Sequence, residues 1–257
     1  MKKINKKESV IVVTGATSGI GYAIATEYLN LGKKVIGIGR NIEILENLSL
    51  VWDDKFIGIN HDITSGSIVK KLIDYNIEIK NIDLVVHSAG IARQGVSIID
   101  MPDVDILDVI NVNIIATTFI IKEFSELFKN RGYGTFIVLG SVASIDCAPF
   151  MAVYSASKSY ISQLIQSVRA DLHGSKVRFC CINPGTTKTP LLNKQAGLSD
   201  NERFNGFSPL EAIDLAKTIF WIHNQPQHVN IQDLTIFPVD QALFVRGVYK
   251  ENRKIND

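Results

Sequence analysis

The sequence has almost no net charge, few cysteines and no long apolar run near its start, and each shortage excludes something. Its 27 Lys+Arg against 26 Asp+Glu leave a formal charge of +1. Without a basic excess, neither nucleic acid nor an anionic membrane is implied as a partner. The three cysteines, Cys147, Cys180 and Cys181, are an odd, sparse set without metal-ligand spacing, which implies no metal and suits a reducing, cytoplasmic compartment. Cys180 and Cys181 lie in an apolar run and read as inert strand residues. Lys2, Lys3, Lys6 and Lys7 precede only Val10–Val13, too short for a signal-peptide core or a membrane span. That run reads as a first buried strand.

What the chain does have is alternation. Short β-branched runs alternate with longer segments of helical period over most of the 257 residues, which predicts repeated βαβ units and a parallel sheet covered on both faces. Strands are expected at Val10–Val13, Lys34–Ile38, Phe56–Asn60, Leu84–His87, Thr135–Leu139, Val177–Ile182 and Leu234–Phe237. Runs this apolar suit burial on both faces. Helices are expected to begin near Gly19, Ile42, Ser67, Val104 and Ala152, and Ser208-Pro209-Leu210-Glu211 reads as a capping box opening a helix to about His223. The expected architecture is one α/β domain over 1–257, a doubly wound seven-stranded parallel sheet flanked by helices. No internal repeat, low-complexity segment or domain linker interrupts it. The least regular stretch, about 187–207, reads as a substrate lid, and a polar tail begins near Lys250.

Thr14-Gly15-Ala16-Thr17-Ser18-Gly19-Ile20-Gly21 follows the first strand and opens a helix whose apolar side is read as Ile20, Ala23, Ile24 and Leu31. Glycines there permit a tight turn and close backbone approach to a pyrophosphate, and a helix amino terminus favours the anion. The spacing is Gly-x-x-x-Gly-x-Gly rather than the commoner Gly-x-Gly-x-x-Gly. Gly15, Thr17, Ser18, Gly19, Ile20 and Gly21 are therefore candidate dinucleotide contacts. The second strand ends Ile38-Gly39-Arg40-Asn41, with no carboxylate for a ribose 2′-hydroxyl and an arginine suited to a 2′-phosphate. This favours NADP (NADPH) over NAD. Asp62, after the third strand, has two readings, an acceptor for an adenine amino group or a turn cap.

Tyr154-Ser155-Ala156-Ser157-Lys158 sets a tyrosine and a lysine four residues apart, on one face of a helix. A phenol titrates at about 10 when free, and a neighbouring ammonium favours its phenolate. The pair reads as a tunable acid/base, against the plainer reading of a helix-start aromatic and a solvated lysine.

Together these motifs resemble the short-chain dehydrogenase/reductase family. The resemblance runs from Val10 to about Leu243 and rests on Thr14-Gly15-x-x-x-Gly19-x-Gly21, Asp62, Ala89-Gly90, Asn113, Ser141, Tyr154-x-x-x-Lys158, and Pro184-Gly185 followed by Thr189. Ser141 stands thirteen positions before Tyr154, as in the family. The resemblance implies a Rossmann-like oxidoreductase acting on CH–OH groups, with Asn113, Ser141, Tyr154 and Lys158 catalytic. Tyr154 would give its proton to a substrate carbonyl oxygen in reduction, and Ser141 would hydrogen-bond the same oxygen. Lys158 would lower the tyrosine's pKa and hold the nicotinamide ribose, so the pair Tyr154 and Lys158 also belongs to the cofactor site. Asn113 would position a water linking Lys158 to solvent. Arg40, Asp62, Ala89, Gly90, Pro184, Gly185, Thr187 and Thr189 complete the implied cofactor contacts. The family also implies a homotetramer or homodimer, with helices around Val104–Asn130 and Tyr154–His173 at one interface. The stripe Ile161, Leu164, Ile165, Val168 and Leu172 reads as core or as that interface.

Three segments depart from the family pattern. His87-Ser88-Ala89-Gly90 replaces Asn-Asn-Ala-Gly, and His87 is read as a structural brace rather than an extra base. Asn113-Ile114-Ile115-Ala116 replaces Asn-x-x-Gly, and Thr187 replaces a valine or isoleucine. A narrower resemblance, to the NADP-dependent 3-hydroxy acid dehydrogenases that oxidise serine and allo-threonine, is carried by Arg169-Ala170-Asp171-Leu172-His173-Gly174, by Pro226-x-His228-Val229-Asn230-Ile231, and by Gly39-Arg40. Lys188, Lys194 and Arg203 are lid cations that could meet a substrate carboxylate, with solvated charges as the other reading. The expected substrate is small and polar. Reduction of a larger ketone (a steroid, a biosynthetic intermediate or a carrier-bound acyl group) and cofactor sensing without turnover are the alternatives.

Overall fold

The structure, a computed structural model, describes residues 9–93, 95–146, 149–193 and 204–242. β1 (Val10–Thr14) leads through a turn into α1 (Gly19–Asn30), then β2 (Lys34–Gly39), α2 (Ile42–Trp52), β3 (Phe56–Asn60), α3 (Ile68–Asp74) and β4 (Ile82–His87). Next come α4 (Asp103–Val109), a π-helical stretch (Ile110–Ala116) and α5 (Thr117–Arg131), followed by β5 (Gly134–Leu139), α6 (Ala152–Asp171) and β6 (Val177–Pro184). Short β7 (Thr187–Lys188), α7 (Pro190–Asn193) and β8 (Leu210–Glu211) precede α8 (Ala212–His223) and β9 (Asp233–Ile236).

Seven strands form one parallel sheet in the order β3-β2-β1-β4-β5-β6-β9. The period-two alternation of β1 shows how the sheet is covered. Ile11 and Val13 pack with Ile24, Tyr28, Leu45, Leu215 and Ile219, from α1, α2 and α8. Val10 and Val12 point the other way, onto Ile68, Ile120, Phe124, Phe128, Ile161 and Ile165, from α3, α5 and α6. Adjacent Cys180 and Cys181 separate between these two layers as free, buried thiols, and burial pushes both pKa values up, that of Cys181 to about 12. Fully burying a Val, Leu, Ile or Phe is worth roughly 1.5–3 kcal/mol each, so both layers contribute heavily to stability.

The chain leaves β1 toward β2 and β3, then returns to place β4 on the other flank of β1. That reversal opens a crevice beyond the carboxyl ends of β1 and β4, where open α/β sheets bind ligands.

Several local expectations need correction. The last helix opens at Ala212, not at Ser208-Pro209. The Ser208 N–H goes to Asp240 Oδ2 at 3.0 Å and the Leu210 N–H to Thr186 O at 3.0 Å, which holds this segment extended. Glu211 is the cap instead, its N–H donating to Asp214 Oδ2 at 2.8 Å. Leu31 lies past the end of α1 and is 44% exposed; the buried side is Ile24, Ala25, Tyr28 and Leu29. The long central helix is not uniform, because Asn113 sits within the π-helical stretch. The start of the expected lid is ordered into β7 and α7, while Lys194, Arg203, Cys147 and the tail from Lys250 lie outside the described residues. Of the stripe on α6, Ile161 and Ile165 are core residues, and Leu164, Val168 and Leu172 pack partly buried against the same layer.

The run over Asp103–Arg131 is long and apolar enough, by length and composition, to cross a membrane. Its Ile120, Ile121, Phe124 and Phe128 are spent in the core, whereas Val104, Leu107, Ile115 and Phe119 form an exposed apolar face.

Candidate active site

The crevice is lined first by the glycine loop. Gly15 has φ +70°, and a Cβ there would stand 2.9 Å from the Ala89 backbone nitrogen, so this turn admits only glycine comfortably and brings the β1 and β4 ends together. At Gly21 a Cβ would lie 2.2 Å from Gly15 O. α1 then begins behind Ser18, whose hydroxyl makes no cap hydrogen bond, and its first turn holds no acidic side chain. The first N–H groups of this helix are thus left to something other than a local cap, the arrangement that receives a phosphate. Thr17 packs beneath the end of β2 at Gly39, Ile20 is half-buried against the core, and Thr189 comes within 3.4 Å of the Cβ position at Gly19.

Beyond β2, Arg40 is exposed and its guanidinium pairs with Asp62 Oδ2 at 3.4 Å. Asp62 itself caps a turn: Oδ1 accepts the Thr64 N–H at 2.9 Å and the Thr64 hydroxyl at 2.7 Å. These hydrogen bonds from Thr64 hold its pKa below the ordinary value, with Arg40 adding to the effect. The described residues fit a dinucleotide bearing a 2′-phosphate, with an uncapped helix terminus for the pyrophosphate and an exposed arginine where a selective carboxylate would otherwise stand.

His87 is buried at the end of β4 with both ring nitrogens engaged, Nδ1 with Thr14 Oγ1 at 2.7 Å and Nε2 with Thr117 Oγ1 at 2.9 Å. Burial, with a smaller contribution from the charge of Lys158, lowers its pKa to about 3. It is a neutral brace between β1, β4 and α5. The Asn113 amide clamps the loop beyond β4 from both sides: Oδ1 accepts the Ile91 N–H at 2.9 Å and Nδ2 donates to Ile91 O at 2.8 Å. Nδ2 also reaches Ser157 Oγ at 3.1 Å, tying the π-helical stretch to α6. Over Gly90, Asn113 Oδ1 and Lys158 Nζ meet, 3.3 and 3.7 Å from where a Cβ would be.

Tyr154 and Lys158 occupy the first turns of α6 and are both buried. Lys158 Nζ donates to Leu139 O at 2.8 Å and lies 5.8 Å from the Tyr154 ring centroid. Burial lowers the lysine's pKa to about 8, with Cys181 opposing the shift. Burial raises the pKa of Tyr154, and the hydrogen bond with Ser141 works against that rise. Desolvation of the phenolate outweighs the Ser141 hydrogen bond, so the net shift of Tyr154 is upward.

Ser141 follows β5 at the same edge, and its Oγ accepts the Ala143 N–H at 3.1 Å. Two residues behind it escaped notice in the sequence. Asn183, buried in β6, accepts the Ser141 backbone N–H on Oδ1 at 3.2 Å, and its Nδ2 donates to both oxygens of Asp233 on β9, at 3.1 and 2.9 Å. Gly140 admits this contact because a Cβ there would lie 2.1 Å from Asn183 Oδ1. Gln241 is a third such residue. Its Oε1 accepts the Thr186 N–H at 2.7 Å and so pins the segment after Pro184-Gly185, while the Gly185 N–H donates to Ile236 O at 2.7 Å. Thr187 is buried and donates to Gly185 O at 2.9 Å; Lys188 beside it is exposed. Asn183 adjoins a motif and was within reach of the sequence, but nothing local points to Asp233 or Gln241.

Among known proteins, the model of the short chain dehydrogenase family matches residues 9–197. A serine 3-dehydrogenase from Rhizobium radiobacter is 35% identical over 249 residues, covering 94% of this chain and 98% of that protein. An NADP-dependent 3-hydroxy acid dehydrogenase of Shigella flexneri is 27% identical over 248 residues, covering 94% and 100%. Among solved structures, the closed form of serine dehydrogenase complexed with NADP+ superimposes with a TM-score of 0.86 at 28% identity, covering 91% of this chain and 96% of the other.

Proposed function

The chain belongs to the short-chain dehydrogenase family, and from that premise we propose that it is an NADP(H)-dependent oxidoreductase of small 3-hydroxy acids, a serine-type substrate being the leading candidate. The observation that carries this reading is the convergence of Ser141, Tyr154 and Lys158 on one buried corner beside Gly90, across the crevice from an uncapped helix terminus. Relatives similar over almost the full length act, by their names, on serine or on 3-hydroxy acids with NADP. One domain, with the 187–207 segment as substrate lid, is part of the same reading.

When bound, the nicotinamide supplies or accepts the hydride. The chain's own residues handle the proton and the charge. Tyr154 gives its phenolic proton to the substrate oxygen in the reductive direction and takes it back in the oxidative one. Ser141 donates a hydrogen bond to the same oxygen and stabilises the charge that develops there. Lys158 stabilises the phenolate left on Tyr154 and holds the ribose, and Asn113 holds a water through which Lys158 exchanges protons with solvent. Arg40 receives the 2′-phosphate in exchange for its weak, exposed pair with Asp62, a pairing worth roughly 0–1 kcal/mol. Gly15, Thr17, Ser18, Gly19, Ile20 and Gly21 hold the pyrophosphate, with Ala89, Gly90, Pro184, Gly185, Thr187 and Thr189 along the rest of the dinucleotide. Lys188 is the described lid cation available to a substrate carboxylate.

The enzyme works in the cytoplasm as a homotetramer or homodimer. The apolar face of Val104, Leu107, Ile115 and Phe119 supports a contact with a second copy, because a patch of that kind is rarely left to water.

The test is Tyr154→Phe, assayed with NADP+ and a panel of hydroxy acids. Turnover should fall by roughly 10²–10⁴-fold while NADPH binding, read by nucleotide fluorescence, is unchanged. Full activity in that variant with the cofactor bound would sink the mechanism.

A further inference from the structure

His87 stands between two threonine hydroxyls, and the other partners of those hydroxyls fix where the ring carries its proton. Thr117 Oγ1 donates to Val112 O at 3.3 Å. A hydroxyl has one hydrogen, so Thr117 can only accept from the ring, which places the ring proton on Nε2, 2.9 Å away. The bare Nδ1 then accepts from Thr14 Oγ1 at 2.7 Å, and Thr14 Oγ1 in turn accepts the Ala89 N–H at 3.3 Å. With the proton on Nδ1 instead, the Thr14 hydroxyl hydrogen would have no acceptor among the described residues, and Thr117 would turn away from Val112 O. Thr14, His87 and Thr117 are all buried, where a donor left without a partner is costly.

We propose that His87 is a positioning residue, which acts through Thr117 on the π-helical turn that carries Asn113. The inference rests on the role of Asn113 proposed above. The hydrogen bonds run one way, from the Ala89 N–H through Thr14, His87 and Thr117 to Val112 O, and they end one residue before Asn113. Val112 and Thr117 are five positions apart, the interval of a π turn, so the Thr117 hydroxyl closes that wide turn from its side. Relaxation to ordinary α-helical turns would rotate Asn113 relative to the residues beyond Thr117, by about 100° for each residue of changed register.

Asn113 cannot absorb such a rotation. Ile91 holds both ends of its amide, and Nδ2 also donates to Ser157 Oγ at 3.1 Å. Ser157 Oγ donates to Tyr154 O at 2.7 Å, so a displacement of Asn113 reaches the first turn of α6. The sheet does not need the ring, because the β1 and β4 backbones already pair from Val10 to Thr14. What His87 adds is the link from the end of β4 to the start of α5.

The experiment uses the full-length protein saturated with NADP+. Long-range 1H–15N spectra of the 15N-histidine-labelled wild type, near neutral pH, should show His87 as a single neutral tautomer protonated on Nε2. Thr117→Val keeps the side chain's shape without its hydroxyl. It should speed exchange of the Asn113 side-chain amide protons by about tenfold or more and lower kcat by about tenfold, with KM for NADPH and for the hydroxy acid within about twofold. Thr117→Ser should restore both. His87→Asn, whose amide reaches Thr14 but falls short of Thr117, is the second variant and should show the same losses. Protonation on Nδ1 or a mixture of tautomers, wild-type exchange or kcat in the valine or asparagine variant, or a serine variant as impaired as the valine one would each overturn the proposal. The tautomer and the Asn113 exchange are read without turnover. A wild type inactive on every hydroxy acid would therefore sink the proposed function and leave these two readouts to decide whether His87 sets Asn113.

Discussion

Asn183 Oδ1 accepts the backbone N–H of Ser141 at 3.2 Å, and Asp233 holds the other end of the same amide. The serine's backbone is thereby set from β6 and β9, two strands beyond its own neighbours in sequence. In its proposed role Ser141 meets a substrate oxygen within hydrogen-bond reach, and that role depends on this support, because small displacements of a positioned group cost rate steeply.

Asn183→Ala should therefore lower kcat by about tenfold to a hundredfold, leaving KM for NADPH within about twofold, and cost about 1–3 kcal/mol of stability for the donors left unpaired. Asp233→Asn, which still offers an acceptor to Asn183 Nδ2, should lose less than Asn183→Ala. Steady-state kinetics alongside denaturant unfolding separates the two effects. An Asn183→Ala enzyme with normal kcat would remove the positioning role.

Arg40→Gln should weaken NADPH binding by about 10–100-fold and leave NADH nearly unchanged, since a charge-assisted pair to phosphate is worth roughly 1.5–3 kcal/mol. Parallel titrations with the two nucleotides measure this directly. Equal losses for both would mean that Arg40 does not read the 2′-phosphate.

His87 gives a pH signature. Its folded pKa, about 3, lies below the ordinary value of 6.5, so the unfolded chain binds the proton first. Stability from the neutral brace is full above about 6.5 and is lost as pH falls toward 3, with a ceiling of a few kcal/mol at the low end. His223, lowered to about 4 by burial and by Arg178, acts in the same direction. His87→Asn should flatten the acid limb of a stability–pH curve by about one proton while leaving the His223 component. An acid limb of unchanged slope would contradict the titration of His87.

Phe119 is 58% exposed on the apolar helix face, and Phe119→Glu should convert the proposed oligomer to a smaller species in analytical ultracentrifugation. A charge buried unpaired in an interface costs several kcal/mol, enough to dissociate it at micromolar concentration. A wild type that sediments as a monomer would dispose of the interface.

Much of the fold was legible because it is written locally. The alternation of Val10, Ile11, Val12 and Val13 between two layers follows from the period of a strand, and the five residues of Phe56–Asn60 were bounded correctly by their neighbours. The capping motif at Ser208 misled for a physical reason: its backbone donors found Asp240 and Thr186, partners that no window of sequence contains. The π-helical stretch around Asn113 was equally hidden, since its composition suits an ordinary helix.

The sequence by itself determined the individual strands, the glycine turn and the spacing that puts Tyr154 and Lys158 on one helical face, all of which depend on residues within a few positions of each other. Tertiary structure alone decided which way the tyrosine's pKa moves, that Asn183 and Asp233 stand behind Ser141, and that His87 bridges Thr14 and Thr117. Desolvation and cross-strand pairing are set by the register of strands far apart in the chain, and that register exists only once the sheet has formed.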